Sequence, residues 1–146
     1  MTANHLLILA ALWLQGALAL GLLWRMGAIR LPLVTSGKVS IGAVALSREP
    51  WPDREKQVSN AFDNQFQLPV LFFVGAGAAL FLGPLLLEVV LAWLFVLSRI
   101  VHAAIHITSN HVVRRFWAYS FGYVALVVLW LDLAVRLVLA AFHVGA

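Results

Sequence analysis

The sequence predicts an all-α membrane protein, a bundle of four transmembrane helices. Two observations carry this. The 146-residue chain is 63% hydrophobic, only 11% charged and has a mean hydropathy of +0.95, too apolar for a soluble domain of this size. Its apolar residues also fall into four runs, each close to the roughly 20 residues that cross a hydrocarbon core, with most of the charge gathered in the connections. One domain over residues 1–146 is expected, with helices at about 5–27, 53–82, 85–108 and 112–142 and a cytoplasmic loop at about 28–52.

The first run, Leu6 to Trp24, is interrupted only by Gln15 and glycine and ends at Arg25. A cleaved leader is the rival reading, but the run has no charged start, and no small-x-small site follows Arg25. Met26 to Gln57 is the one long polar stretch, with Arg30, Lys38, Arg48, Arg54 and Lys56 set against Glu49, Asp53 and Glu55. Pro50-Trp51-Pro52-Asp53 closes it with a helix-start signal.

The second helix should begin near Asp53. Asn60, Asp63, Asn64 and Gln67 fall on one face about 100° wide before the sequence turns apolar, and Pro69 predicts a kink one turn inside. Gly75, Gly77 and Ala79 offer small surfaces for close helix approach. Gly83-Pro84 implies a very short turn into the third helix, and Thr108-Ser-Asn-His another into the fourth.

The third helix carries the unusual feature. Arg99, His102, His106 and Asn110 are spaced three, four and four apart, a polar stripe about 80° wide in an otherwise apolar helix. An unpaired arginine at this depth costs on the order of 2.5–3.5 kcal/mol, so a partner or a ligand is expected. Asp63 and Glu88 are the candidate acids, although Glu88 is about 16 Å away along its own helix axis. The two histidines have metal-clamp spacing, but no cysteine exists, His111 is off the stripe, and His5 and His143 belong to the opposite membrane side. No metal or haem is therefore expected. Asp132 and Arg136, four apart, read as an intrahelical pair. Tyr119 and Gly122 share the face of Arg115, which makes Arg115 the inward residue and Arg114 a headgroup contact.

The formal charge of +4 is concentrated near membrane boundaries, where basic residues set topology, so nucleic acid is not an expected partner. The 26–57 loop and the Arg114-Arg115 turn are basic, whereas the Gly83-Pro84 turn and both termini carry no Lys or Arg. The positive-inside rule puts both basic connections in the cytoplasm and both termini outside. The polar ends of helices two, three and four then meet at one depth, where a site can form.

Two blocks resemble a known family, the membrane-associated proteins in eicosanoid and glutathione metabolism (MAPEG). They are Asn60-Ala-Phe-Asp63-Asn64-Gln-Phe-Gln67-Leu-Pro69 in helix two, and Arg99-x-x-His102-x-x-x-His106-x-x-x-Asn110-x-x-x-x-Arg115-x-x-x-Tyr119-x-x-Gly122 across helices three and four. The resemblance is closest to the bacterial branch. It implies a multi-pass protein, in a bacterial inner membrane, that assembles as a homotrimer with glutathione bound between subunits at the cytoplasmic face. It also implies conjugation of lipophilic electrophiles or reduction of lipid hydroperoxides. Carried over by position, Asn64, Arg99 and His102 become glutathione contacts, Arg115 the catalytic residue that stabilises the thiolate, and Tyr119 a wall or hydroxyl donor. The chain departs from the family at Gln67, where the enzymes have a glutamate, at His106, where the eicosanoid enzymes often have tyrosine, and at Asn60 and Asp63, which replace basic residues. All four stand at the expected glutathione site. A non-catalytic lipid-binding or scaffold member of the same fold is the alternative those departures imply.

Overall fold

The structure, a computed structural model, describes residues 1–144, with side chains as far as Phe142. The expectations for His143 and the C-terminal end lie outside the described residues. Every regular element among the described residues is helical: α1 Ala3–Thr35, α2 Asp53–Asp63, α3 Leu68–Leu82, α4 Leu86–Ile107 and α5 Val112–Val144, with short 3-10 turns at Gly42–Val44 and Asn64–Phe66. Four stretches are long and apolar enough to cross a membrane, namely Ala3–Thr35, Asp53–Leu82, Leu86–Ile107 and Val112–Phe142. The chain is an all-α membrane protein built as a four-helix bundle.

Hydropathy locates the hydrocarbon, not the helix end. α1 runs eight residues past the expected boundary at 27, and the connection is correspondingly shorter. At about 50 Å it outreaches the hydrocarbon core, so Arg30 belongs to a helix emerging from the membrane and not to a loop. Arg30 earns that extension by reaching α2: its Nε donates to Glu55 at 2.6 Å and its Nη2 to the Ser59 hydroxyl at 2.9 Å, with the guanidinium 5.0 Å from the Trp51 ring centre. Gly37, at φ +71, then ends the helix by donating to the Val34 carbonyl, a conformation that glycine adopts without cost.

The second span is interrupted rather than bent. Its α-helical hydrogen bonding stops at Asp63, passes through the 3-10 turn, and resumes after Gln67 (φ −104, ψ −108). Pro69 sits in the first turn of α3, where its missing N–H would have had no partner, so the break precedes the proline. The interruption exposes Gln67 and directs Asn64 away from the apolar core.

α4 is the central helix and packs on α5, α1, α2 and α3. Phe95 stacks on Phe72 at 4.7 Å, within a core that includes Ile8, Ala11, Ala76, Ala79, Leu126 and Leu129. Gly122 permits the closest approach of α4 and α5, since a β-carbon there would overlap the Ser98 hydroxyl. Gly75 meets Trp130 of α5, whose Nε1 donates to the Leu71 carbonyl at 3.3 Å, whereas Gly77 faces open space.

The end of the bundle remote from the basic connections is tied by one arginine. Glu88, fully buried, accepts from the Leu85 amide at 2.7 Å and from Arg136. Arg136 also donates from Nη2 to the Leu82 and Gly83 carbonyls at 2.9 Å each. The expected Asp132–Arg136 pair is therefore not formed. A buried carboxylate and two carbonyls freed at the end of α3 outcompete a neighbour one turn back on the same helix, and Asp132 Oδ2 is left without a partner.

Candidate functional site

At the opposite end, the α4 stripe turns into the bundle. Arg99 is fully buried, and His102 and His106 are 3% exposed. Neither candidate acid reaches Arg99. Glu88 is held by Arg136, and Asp63 by Arg48 at 2.6 Å. Arg99 instead donates from Nη2 to the Asn64 carbonyl at 3.3 Å, with its guanidinium carbon 5.4 Å from the centre of the Tyr119 ring. Its Nε and Nη1 have no partner.

Between α2, the 3-10 turn that follows it, α4 and the start of α5 lie two adjoining cavities. The first, about 310 Å³, is lined by Asn64, Gln67, His102, Val112, Arg115, Phe116 and Tyr119. The second, about 280 Å³, is lined by Asn60, Asp63, Asn64, Gln67, His106 and Arg115. Asn64, Gln67 and Arg115 line both. Of the residues expected from sequence to hold glutathione or its thiolate, Arg99 alone lines neither and stands behind the wall that Asn64, His102 and Tyr119 form. The His102 ring centre lies 5.8 Å from that of Tyr119 and 5.7 Å from that of His106, and Nδ1 of each histidine lacks a protein partner. Arg114 is exposed and borders neither cavity.

Backbone chemistry explains how α5 delivers Arg115. α4 ends at Ile107, and Asn110 takes a left-handed conformation (φ +49) while its amide donates to the Ile105 carbonyl at 2.7 Å. Asparagine tolerates that region better than most side chains. The chain reverses, α5 starts at Val112, and the Asn110 side-chain oxygen accepts from Arg115 Nη1 at 2.6 Å.

Charge in the site is predominantly positive. Asp63 is the only carboxylate lining either cavity among the described residues, and it is engaged by Arg48, whose own pKa the hydrogen bond and attraction from Asp63 raise above its ordinary value. Arg48 also lies 3.4 Å from the Asn60 side-chain oxygen. That leaves Arg115 at the cavity wall and Arg99 behind it as cations suited to an anionic ligand. One turn further along α3 and α5, Leu68, Leu71, Tyr123, Leu126, Trp130 and their neighbours line an apolar groove of about 350 Å³.

Sequence reasoning missed three supporting residues. Arg48 sits in the irregular connection, where no periodicity shows that it folds back onto Asp63. Asn110 belongs to the stripe by spacing, which does not show its link to Arg115. Gln15, the one strongly polar residue in the first apolar run, donates to Gln65 at 2.8 Å, and Gln65 in turn donates to the Ala61 carbonyl at 3.0 Å. The lone amide in an apolar helix was the available signal for Gln15.

No curated protein and no solved structure gives a significant match to the chain. The model of the MAPEG family does match, over residues 8–135, a span that includes the second and third membrane segments whole, most of the first and fourth, the lining of both cavities and the whole Arg99–Arg115 stripe. With most of its length and the entire polar site inside that match, the chain belongs to the MAPEG family.

Proposed function

We propose that the protein is an integral membrane, glutathione-dependent enzyme of the transferase or peroxidase type, acting on lipophilic electrophiles or lipid hydroperoxides. The observation that carries this reading is the position of Arg115, which lines both cavities together with Asn64 and Gln67. Glutathione is a small peptide with two carboxylates and one ammonium, and it fits a site with excess positive charge and several amide groups. Asn64, Gln67, Asn60 and Asp63 would hold its polar backbone, with His102, His106 and Tyr119 as further walls and hydrogen-bonding groups.

A thiol of ordinary pKa, about 8.5, is mostly protonated at neutral pH, and a neighbouring guanidinium favours the thiolate. With the sulfur beside Arg115, the thiolate attacks the electrophilic carbon, a carbon–sulfur bond forms, and the leaving group departs with the electron pair. With a hydroperoxide, the sulfur attacks the terminal oxygen and the alcohol leaves. A second glutathione then converts the sulfenic acid to disulfide and water. The apolar groove supplies a place for substrate arriving laterally from the bilayer. Glutathione between subunits of a homotrimer, a cytoplasmic site and termini on the other side complete the proposal, the last two following from the basic connections.

Conjugation of a lipophilic electrophile by purified protein, with and without glutathione, tests the reading. Arg115→Ala is expected to slow the reaction by on the order of 10²-fold. Equal rates for the two proteins would remove Arg115 from the chemistry.

A second reading rests on its own observation. With Gln67 neutral and Asp63 engaged by Arg48, no free carboxylate meets the ammonium of glutathione among the described residues. A lipid-binding or scaffold protein of the same fold needs none. Calorimetry separates the two: no heat of binding with millimolar glutathione favours the scaffold.

A further inference from the structure

We propose that Asn110 is a positioning residue for Arg115, aiming the guanidinium into the cavities without neutralising it. This rests on the reading of Arg115 as the group that holds a thiolate.

Geometry and chemistry both lead there. Arg115 stands in the first turn of α5, next to exposed Arg114, where a long cationic side chain is free to extend towards lipid headgroups or water. Instead it lines both cavities, and its one side-chain hydrogen bond to the protein, Nη1 to Asn110 Oδ1 at 2.6 Å, turns it back towards α4. The oxygen is placed by the backbone. Asn110 occupies the left-handed region at the α4–α5 turn, its amide tied to the Ile105 carbonyl at 2.7 Å, so the side chain leaves a fixed point.

The acceptor is also neutral. A carboxylate would orient the guanidinium equally well but cancel much of its field at a nearby sulfur, whereas an amide oxygen leaves the positive charge available. One Nη1 contact leaves the other donors of the guanidinium for a ligand. The charged and titratable groups that share the cavities with Arg115 are Asp63 from α2, already paired with Arg48, His102 and His106 from α4 and Tyr119 from α5, with Arg99 behind.

Substitutions at 110 separate the side chain from the turn. Asn110→Gly keeps the left-handed backbone and deletes the amide, and Asn110→Asp keeps an acceptor and adds charge. Two measurements are made on each protein in lipid nanodiscs: the pH profile of glutathione conjugation, and, with no glutathione present, the NMR signals of the Arg115 guanidinium nitrogens, assigned by their loss in Arg115→Lys. In the wild type the Nη signals should show slowed rotation, in Asn110→Gly free rotation, and in Asn110→Asp slowed rotation again. Conjugation should fall about tenfold in Asn110→Gly, since a misplaced group loses effective concentration. In Asn110→Asp the pH midpoint for thiolate formation should rise by about one unit. Unchanged Arg115 signals and an unchanged rate in Asn110→Gly would overturn the role of Asn110. A wild type that never turns over glutathione would overturn the thiolate reading instead, and the ligand-free signals would still decide whether Asn110 holds Arg115.

Discussion

Arg99 reaches from α4 to the backbone carbonyl of Asn64, Nη2 to oxygen at 3.3 Å, and its Nε and Nη1 have no partner among the described residues. A fully buried guanidinium with one carbonyl and one aromatic face for company is held at a cost to stability. Arg99→Met, similar in length and apolar, is therefore expected to raise the melting temperature in detergent while weakening glutathione binding at least about tenfold, a trade between stability and function. Thermal melts and calorimetry on the same preparations check both halves. A lower melting temperature would show that the charge is net stabilising.

Glu88 and Arg136 should behave in the opposite sense. Their pair is buried and shares its hydrogen bonds with the Leu82 and Gly83 carbonyls and the Leu85 amide. Arg136→Leu strands a buried carboxylate and two carbonyls and is expected to cost about 3–5 kcal/mol, read from unfolding in mixed micelles. Glu88→Gln in that background should recover part of the loss, because it removes the stranded charge.

Gln15→Leu removes the donor to Gln65 and leaves a buried amide oxygen without a partner. Interhelical hydrogen bonds in membranes average about 0.6 kcal/mol. The variant orphans the Gln65 oxygen but also removes the Gln15 oxygen that already lacks a partner among the described residues, so a loss of about 0.5–1 kcal/mol is expected from the same unfolding assay. Gln65 lies between Asn64 and Gln67, so glutathione affinity should fall as well. Intact affinity would show that the 3-10 turn holds its shape without Gln15.

Two glycines in the apolar region make a matched pair. Gly122→Ala drives a β-carbon into the Ser98 hydroxyl, which is itself fixed by donating to the Phe95 carbonyl at 2.6 Å, and should cost about 1–3 kcal/mol. Gly77→Ala meets nothing within 4 Å and should be neutral or slightly stabilising, since alanine is the better helix former. Melting temperatures of the two variants decide it.

How much of this was legible depends on how local the physics is. The four spans show in the sequence because the penalty for charge in hydrocarbon acts residue by residue. The stripe from Arg99 to Asn110 shows because a helix repeats every 3.6 residues. Where partners compete, spacing is insufficient: Asp132 and Arg136 are ideally placed for each other, yet Arg136 takes acceptors from the end of α3 and the start of α4. The end of α1 was hidden for a similar reason, since the two arginines at 25 and 30 and Pro32 read as the end of a span until Glu55 and Ser59 are seen beside Arg30. In the site, the cavity lining follows the helical faces, but Arg48 on Asp63 and Asn110 on Arg115 depend on how irregular backbone folds back, which no periodicity encodes.

The clamp formed by Arg136 has a consequence for how the chain is made. Ribosomes deliver α3 and α4 to the membrane before α5 exists, so their hairpin first arrives with the Glu88 carboxylate and the Leu82 and Gly83 carbonyls at its tip and no cation to meet them. The Leu85 amide meets only one oxygen of Glu88, so without that cation these groups favour the polar boundary of the bilayer. Insertion of α5 brings the guanidinium that meets them. Assembly therefore has an order, and α5, made after α3 and α4, completes the tip of the hairpin that precedes it.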